Sequence, residues 1–485
     1  MRYILVIDEG TTSTRAMIFT EKMKPVSSSQ KRFHQYFPEP GWVEHDADEI
    51  YEAVLETICE AVNKANINPK EIVSIGITNQ RETIVPFDRK TGQPVSRAIV
   101  WQCRRTAGMV SMLKEEGLEE EIHERTGLFL DPYFSGTKIR YLKEHGIKDG
   151  TLFGTIDAFL VFKLSGGKSF ATDVSNASRT LLFNINKLSY DKDLLEIFKV
   201  HLDELPEVKE STALFGKTKD VKCLPDDIPI SGILGDQQAA LLGHGGLSYG
   251  IAKNTYGTGS FLLVNIGKKP LLFKRGILTT VAFSILGKTS YAVEGSVFIV
   301  GALIDWLISV GLLKGIDELN KILSQKVETE VYFVPAFTGL GAPDWDPSAR
   351  GGIFGLTRGT TREDIVRAAI LSIPLQTESL LRTMEENGIS ISEMRVDGGV
   401  SNNDYIMQLQ ADISNLKIIR PQLKEITAKG AALISALGMK LIRKSDIDKF
   451  IKFEKTFLPE MGLMQREKMY KNFIRAVERT KGWEV

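Results

Sequence analysis

The sequence predicts an α/β protein made of two similar domains on either side of a central cleft, and two observations carry that expectation. At 485 residues the chain exceeds what one hydrophobic core organises. It also opens twice in the same manner. The apolar run Tyr3–Ile7 enters the turn Asp8-Glu9-Gly10-Thr11-Thr12-Ser13-Thr14-Arg15 and Ala16–Phe19 leaves it. Later, Ala252–Thr255 leads into Tyr256-Gly257-Thr258-Gly259-Ser260, followed by Phe261–Val264. Both read as strand, Gly/Thr/Ser turn, strand. Glycines near Gly243–Gly246 mark the division, giving an N-terminal domain of residues 1–245 and a C-terminal domain of residues 246–485.

The first turn combines a carboxylate, a glycine, hydroxyls and an arginine. Glycine allows close backbone approach, turn N–H groups and hydroxyls suit phosphate oxygens, and Arg15 adds a forked donor. Asp8 has the chemistry to hold a hydrated Mg²⁺. After the broken segment Pro38–Asp48, Asp46 and Glu49 stand at capping-box spacing for a helix reaching Ala65. Ile72–Thr78 reads as a buried strand that ends in Asn79-Gln80-Arg81-Glu82, and strand termini are favoured ligand positions in α/β proteins. Ala98–Val100 delivers Trp101, Met109–Thr126 reads as a charged helical stretch, and Gly127–Lys138 as a loop. Ile228–Leu234 then reads as a strand presenting Gly235-Asp236-Gln237-Gln238 at the start of a helix.

In the second half, Ala292–Leu313 is an apolar stretch interrupted by Glu294 and Asp305, and reads as a buried helix, too charged for a membrane span. Thr361 and Asp364 cap a long helix containing Pro374. Met394–Val396 is a strand ending in Asp397-Gly398-Gly399, with a helix from about Asn402 capped by Ser401. Ile426–Gly438 is a helix whose small residues let another element approach closely, and Ser445–Val485 reads as a charged amphipathic helical tail. None of the three glycine turns has Walker A spacing, which disfavours a P-loop fold.

Composition narrows the function. Basic and acidic residues balance at 61 each, against the basic surplus of a nucleic-acid binder. Cys59, Cys103 and Cys223 are scattered, without metal-type spacing, and are expected as isolated reduced thiols. The chain starts with a strand and shows no apolar leader. A soluble cytoplasmic protein is expected, with no membrane span and no nucleic-acid partner.

At the segments IDEGTTSTR, PGWVEHD, GITNQRET, AIVWQCRRT, TGLFLDPYFSGTK, SNASRTLLFNI, ISGILGDQQAAL, AKNTYGTGSF, VPAFTGLGAPDWDP and RVDGGVSNN the sequence resembles the glycerol kinases of the FGGY carbohydrate-kinase family. That family belongs to the actin-like ATPase superfamily. The resemblance runs from Ile7 to about Gly438. It implies two ribonuclease H-like domains flanking a nucleotide and substrate cleft, ATP-dependent phosphorylation of glycerol in glycerol catabolism, and a homodimer or homotetramer. It assigns the glycerol hydroxyls to Arg81, Glu82, Tyr133, Asp236 and Gln237, and the walls to Trp101 and Phe261. Asp236 becomes the general base and Arg15 the counter-charge to the moving phosphoryl group. ATP and ADP fall to Thr11, Thr12, Ser13, Arg15, Thr258, Gly301, Asp305, Gly398, Gly399 and Asn402, with Mg²⁺ at Asp8.

Three positions depart from the family's pattern. Glu9 and Asp305 each stand where glutamine is common, and the turn after Gly399 is a residue shorter than in some relatives. The loop Val221–Asp227 lacks the Gly/Arg pattern that binds a sugar bisphosphate effector in some bacterial relatives, so that regulation is not expected.

Overall fold

The structure is a computed structural model that describes residues 1–274, 276–325 and 329–483. Two twisted sheets with one shared topology form its framework. The first orders its six strands Leu214–Lys217, Pro229–Gly235, Ile72–Asn79, Tyr3–Glu9, Ser13–Thr20 and Pro25–Arg32. Read back from Pro25–Arg32, three antiparallel neighbours are followed by two parallel strands and an antiparallel edge. The second sheet runs Leu278–Ile285, Lys288–Val297, Ser260–Gly267, Ile251–Tyr256, Glu393–Asp397, Ile418–Pro421 and Phe453–Phe457. Past its extra edge strand it repeats the same sequence of directions. The chain is therefore a two-domain α/β fold with a cleft between the repeats.

Alternation explains why the strand Tyr3–Glu9 is apolar from Ile4 to Ile7. Leu5 and Ile7 pack with Ile50, Val54 and Ile58 of the helix Ala47–Ala65. Ile4 and Val6 face the opposite way, toward Ala428, Ala431 and Leu433 of the helix Ile426–Gly438. Successive side chains of a strand point to opposite faces, so a strand covered on both sides must be apolar at every step. Register then aligns the strand ends. Glu9 pairs with Asn79, and Asn79 with Gly235, so three adjacent strands terminate together at one sheet edge. In the second sheet Thr255 and Asp397 are likewise side by side.

Several local expectations need correction. The stretch Ala292–Leu313 is not one helix: it lies in the strand Lys288–Val297 up to Val297, and the helix Gly301–Ser309 follows. Hydropathy does not separate a buried strand from a buried helix, and β-branched Val293 and Val297 suit the sheet. Met109–Thr126 divides into Ala107–Glu115 and Glu119–Thr126 around Gly117, whose φ is +78°. Asn403, rather than Ser401, caps the helix Asp404–Ser414, accepting bonds from the Tyr405 and Ile406 amides. The tail contributes the strand Phe453–Phe457 before its helix Leu463–Glu478, and its last two residues, 484 and 485, lie outside the described residues.

The cysteines differ most. Cys59 and Cys223, 164 residues apart, form a disulfide with a Cα–Cα separation of 5.3 Å. Cys59 projects from the helix Ala47–Ala65 and Cys223 from the loop before Pro229–Gly235. Sequence spacing carries no record of that approach, because the fold alone brings helix and loop together. Cys103 is a buried free thiol. No helix among the described residues is long and apolar enough to cross a membrane.

Candidate active site

The shared edge of the first sheet concentrates charged side chains. Arg81 and Glu82 follow the strand Ile72–Asn79 after Gln80, and Asp236 opens the helix Asp236–Gly243 at the end of Pro229–Gly235. Arg81 Nε lies 3.2 Å from Asp236 Oδ1. Gln237 closes over the same carboxylate, donating from its amide nitrogen at 2.7 Å and from Nε2 at 3.1 Å. Arg81 and Glu82 are both buried, while Asp236 keeps 33% of its side chain exposed, so the carboxylate is the reachable member of the group.

Glu82 holds an uncommon backbone conformation, with φ +63°. Non-glycine residues there are strained and persist where surrounding contacts compensate. Here the Glu82 carbonyl accepts bonds from Ser135 Oγ at 3.1 Å and Lys138 Nζ at 3.3 Å. Its carboxylate receives Arg179 Nε at 2.6 Å. Burial pushes the Glu82 carboxyl up, against the opposing pull of Arg81 and Arg179. Glu294 completes the cluster from the second sheet, bonding Arg81 and Arg179. Burial opposes its charge as well, yet Arg179 and Arg81 draw the Glu294 carboxyl down to about 2.

Aromatic rings wall this polar group. Trp101 meets Tyr133 edge to face at 5.5 Å and Phe261 at 6.4 Å. Trp101 Nε1 donates to Thr11 Oγ1 at 3.0 Å, which ties the wall to the first turn. Gln80 Nε2 reaches the Gly10 carbonyl at 3.1 Å from the other side. The result is a small recess with paired donors and acceptors on one side and flat apolar rings on the other. Such a recess suits a short polyol, and buried polar groups left unpaired penalise an acceptor lacking the hydroxyls.

The turn residues form two groups. Thr11, Thr12 and Ser13 lie at the junction of the first two strands, and the Arg15 guanidinium faces Glu425 and Gln30. In the second half the Gly301 amide donates to the Gly257 carbonyl at 3.0 Å, and the Val300 amide to that of Thr258 at 2.9 Å. Gly398, at φ +89°, sits where a Cβ would approach the Tyr256 carbonyl oxygen to 2.3 Å. Thr258, Gly301, Gly398 and Gly399 thus belong to one patch. Asn402 is exposed and donates to the Gly399 carbonyl at 3.1 Å, whereas Asp305 is exposed one turn along the helix from Gly301.

Asp8 is recessed at the end of the first strand. Burial raises its carboxyl to about 6, Arg15 opposing and Asp236 adding to the rise. Among the described residues no cluster of three or more His, Cys, Asp or Glu forms a self-sufficient metal cage. Mg²⁺ needs none, since it keeps waters and is held by one or two carboxylates with substrate phosphates. The donor set at Asp8 fits that arrangement. Neighbouring Glu9 is buried, accepts from Thr14, and is pushed well up by burial, which favours a neutral side chain resembling glutamine in shape and charge.

Sequence reasoning missed Glu294, Arg179, Lys253 and Glu425. Glu294 had a signal, a lone carboxylate within an apolar run. Lys253, in the strand before the second turn, had the same kind.

Comparison with known proteins finds relatives along nearly the whole chain. Residues 3–243 match the N-terminal domain of the FGGY family of carbohydrate kinases, and residues 252–439 match its C-terminal domain. The chain is 47% identical to a glycerol kinase of Ligilactobacillus salivarius, covering 99% of this chain and 97% of that one. It is also 47% identical to a glycerol kinase of Staphylococcus epidermidis, over 100% and 99%. The Plasmodium falciparum glycerol kinase with ADP superposes with a TM-score of 0.94 at 36% identity, over 99% and 98%. A xylulose kinase of Lactobacillus acidophilus, at 22% identity and TM-score 0.90, shares the fold.

Proposed function

The chain belongs to the FGGY family of carbohydrate kinases, and we propose that it transfers the γ-phosphoryl group of ATP to a terminal hydroxyl of glycerol, giving sn-glycerol 3-phosphate and ADP. The observation that carries this reading is the convergence of Arg81, Glu82, Asp236 and Gln237 in one recess walled by Trp101, Tyr133 and Phe261. The names of the relatives support glycerol as the acceptor, and the ADP of the Plasmodium falciparum enzyme supports an adenine nucleotide as the donor. With the division at residues 245 and 246, the acceptor recess falls to the N-terminal domain apart from Phe261, and the nucleoside contacts fall mostly to the C-terminal domain.

Arg81 and Glu82 bond two hydroxyls of glycerol and orient the third toward Asp236. Trp101 and Phe261 hold the carbon edge, with Tyr133 and Gln237 completing the polar shell. Asp236 receives the proton of the attacking hydroxyl as its oxygen bonds the γ-phosphorus and the bond to the ADP oxygen breaks. The transition state of such transfers is loose, so the hydroxyl need not ionise early, and general-base assistance contributes about 10²–10⁴ in rate. Thr11, Thr12, Ser13 and Thr258 bond the phosphates, and Arg15 counters charge on the transferring group. Gly301, Asp305, Gly398, Gly399 and Asn402 take the nucleoside side. Asp8 holds Mg²⁺, which supplies charge neutralisation on the phosphates when bound. Closure of the cleft excludes water and limits ATP hydrolysis.

A coupled ADP-release assay with Mg-ATP tests the reading, using glycerol, dihydroxyacetone, xylulose or no acceptor. Release should require glycerol and fall by about 10²-fold or more in Asp236→Asn. Preference for xylulose moves the acceptor to a ketose, and release indifferent to acceptor and mutation sinks the kinase reading. Light scattering on the same sample reads the homodimer or homotetramer that the family resemblance implies.

A further inference from the structure

A buried ammonium lies directly behind the candidate base. Lys253 belongs to the strand Ile251–Tyr256 and is fully buried. Its Nζ donates to Gln237 Oε1, to Thr255 Oγ1 at 2.9 Å and to the Phe261 carbonyl at 3.2 Å. These bonds use its full complement of three donors. Burial pulls the ammonium down to about 8, with Asp397 and Asp236 acting the other way. Burying such a group is unfavourable unless it is paired, and an apolar side chain fills the same space without that penalty.

The direction of the Gln237 amide follows from its two neighbours. A primary amide presents an acceptor at one end and donors at the other, in nearly the same shape. An ammonium only donates, so Gln237 Oε1 must face Lys253. An ionised carboxylate only accepts, so Gln237 Nε2 must face Asp236, where it lies 3.1 Å from Oδ2. The same ammonium grips the backbone of Phe261, a wall of the acceptor recess. Base, amide and wall therefore share one anchor.

We propose that Lys253 is a positioning residue for phosphoryl transfer, locking the Gln237 amide with its NH₂ toward Asp236 and thereby fixing the carboxylate that receives the acceptor's proton. The proposal rests on the reading of Asp236 as the base. It assigns Lys253 no contact with either substrate. Removing the ammonium strips the amide of its anchor at Oε1 and leaves it held by Asp236 alone, so Gln237 swings more freely and no longer steadies the carboxylate.

The test uses the full chain and compares wild type, Lys253→Met, Lys253→Arg, Gln237→Ala and the Lys253→Met/Gln237→Ala double variant. Lys253→Met should lose about 10- to 100-fold in kcat, the scale of a misplaced reacting group, with the KM for ATP changed less than about threefold. Lys253→Arg, which keeps the donors, should recover part of the loss. The double variant should match Gln237→Ala within about threefold, since both changes remove one interaction. If Lys253→Met gives no cooperative urea transition, Lys253→Gln, neutral and polar, carries the same comparisons. A kcat within threefold of wild type in the folded variant overturns the proposal, as do losses that multiply in the double variant. Wild-type protein transferring phosphoryl to no acceptor overturns this inference together with the kinase reading. Active wild type with indifferent Lys253 variants overturns this inference alone.

Discussion

Glu294 grips Arg81 through two hydrogen bonds of 2.6 and 3.1 Å, reaching from the second sheet to the strand end of the first. The same carboxylate takes Arg179 at 3.0 Å. Arg81 therefore faces the acceptor recess with its guanidinium already fixed by the opposite half of the molecule. Removing one partner of a buried ion pair leaves the other uncompensated. Glu294→Ala should lose about 3–5 kcal/mol in urea unfolding. Glu294→Gln retains the shape and should raise the KM for glycerol about tenfold, or about 1.4 kcal/mol. A KM within twofold of wild type would show that Arg81 is held by other means.

Arg15 pairs with Glu425, and Gln30 accepts from it at 3.1 Å. A phosphoryl group arriving at Arg15 must displace the Glu425 carboxylate. The two side chains are 24% and 38% exposed, and pairs of that kind contribute about 0–1 kcal/mol. Glu425→Gln should consequently lower the KM for ATP, by about fivefold at most, and the difference should shrink in concentrated salt. An unchanged KM at low salt would remove Glu425 as a competitor.

The Cys59–Cys223 disulfide closes a long stretch of chain. Cross-links of this kind stabilise by about 2–5 kcal/mol, mainly through the unfolded chain. Cys223→Ser should lose that much in urea unfolding, and dithiothreitol should give the wild type the same midpoint. Glycerol-dependent turnover should stay unchanged, because the helix carrying Cys59 packs across the strands and not at their functional ends. Equal midpoints with and without reductant would show that the bond contributes nothing.

Asp157 supplies a pH dependence. Thr172 donates to its Oδ2 at 2.6 Å, while Oδ1 has no hydrogen-bond partner among the described residues. Burial raises its carboxyl to about 7 from the ordinary 3.8, with bonds from Thr155 and Thr172 opposing. Between about pH 4 and pH 7 the folded chain keeps a proton that the unfolded chain has released, so stability falls as pH rises. Asp157→Asn lacks this decline. Its melting temperature relative to wild type should climb across that window, by the equivalent of at most about 4 kcal/mol. A constant difference from pH 4 to pH 8 would contradict the buried-proton account.

The glycine turns were legible as turns because their chemistry is local: glycine, hydroxyls and a flanking apolar run lie within a few residues. The repeat was legible for the same reason, and the sheet orders show it. Arg81, Glu82 and Asp236 stood out because each follows a strand, where α/β folds gather ligand contacts. Glu294 and Lys253 were hidden. Each reaches the site from a strand of the other half, and a single charge within an apolar run does not state which partner it meets. The Cys59–Cys223 pair was hidden because only the fold brings its helix and its distant loop together. Ala292–Leu313 failed differently: hydropathy and length fit one helix, whereas packing bends it into a strand and a helix.

The small-residue helix Ile426–Gly438 lies against the helix that begins at Asp236, with almost nothing between them. A Cβ at Gly430 would stand 1.8 Å from the Ala239 carbonyl oxygen, and one at Gly243 would stand 2.2 Å from that of Ile426. Backbones this close have no room for one helix to ride over the other's side chains. Translation along the contact is blocked, and what survives is a pivot about the crossing. Any closure of the two halves would accordingly be a door swinging on a pin rather than a drawer sliding in its frame, with the pin running beside Asp236, the proposed base.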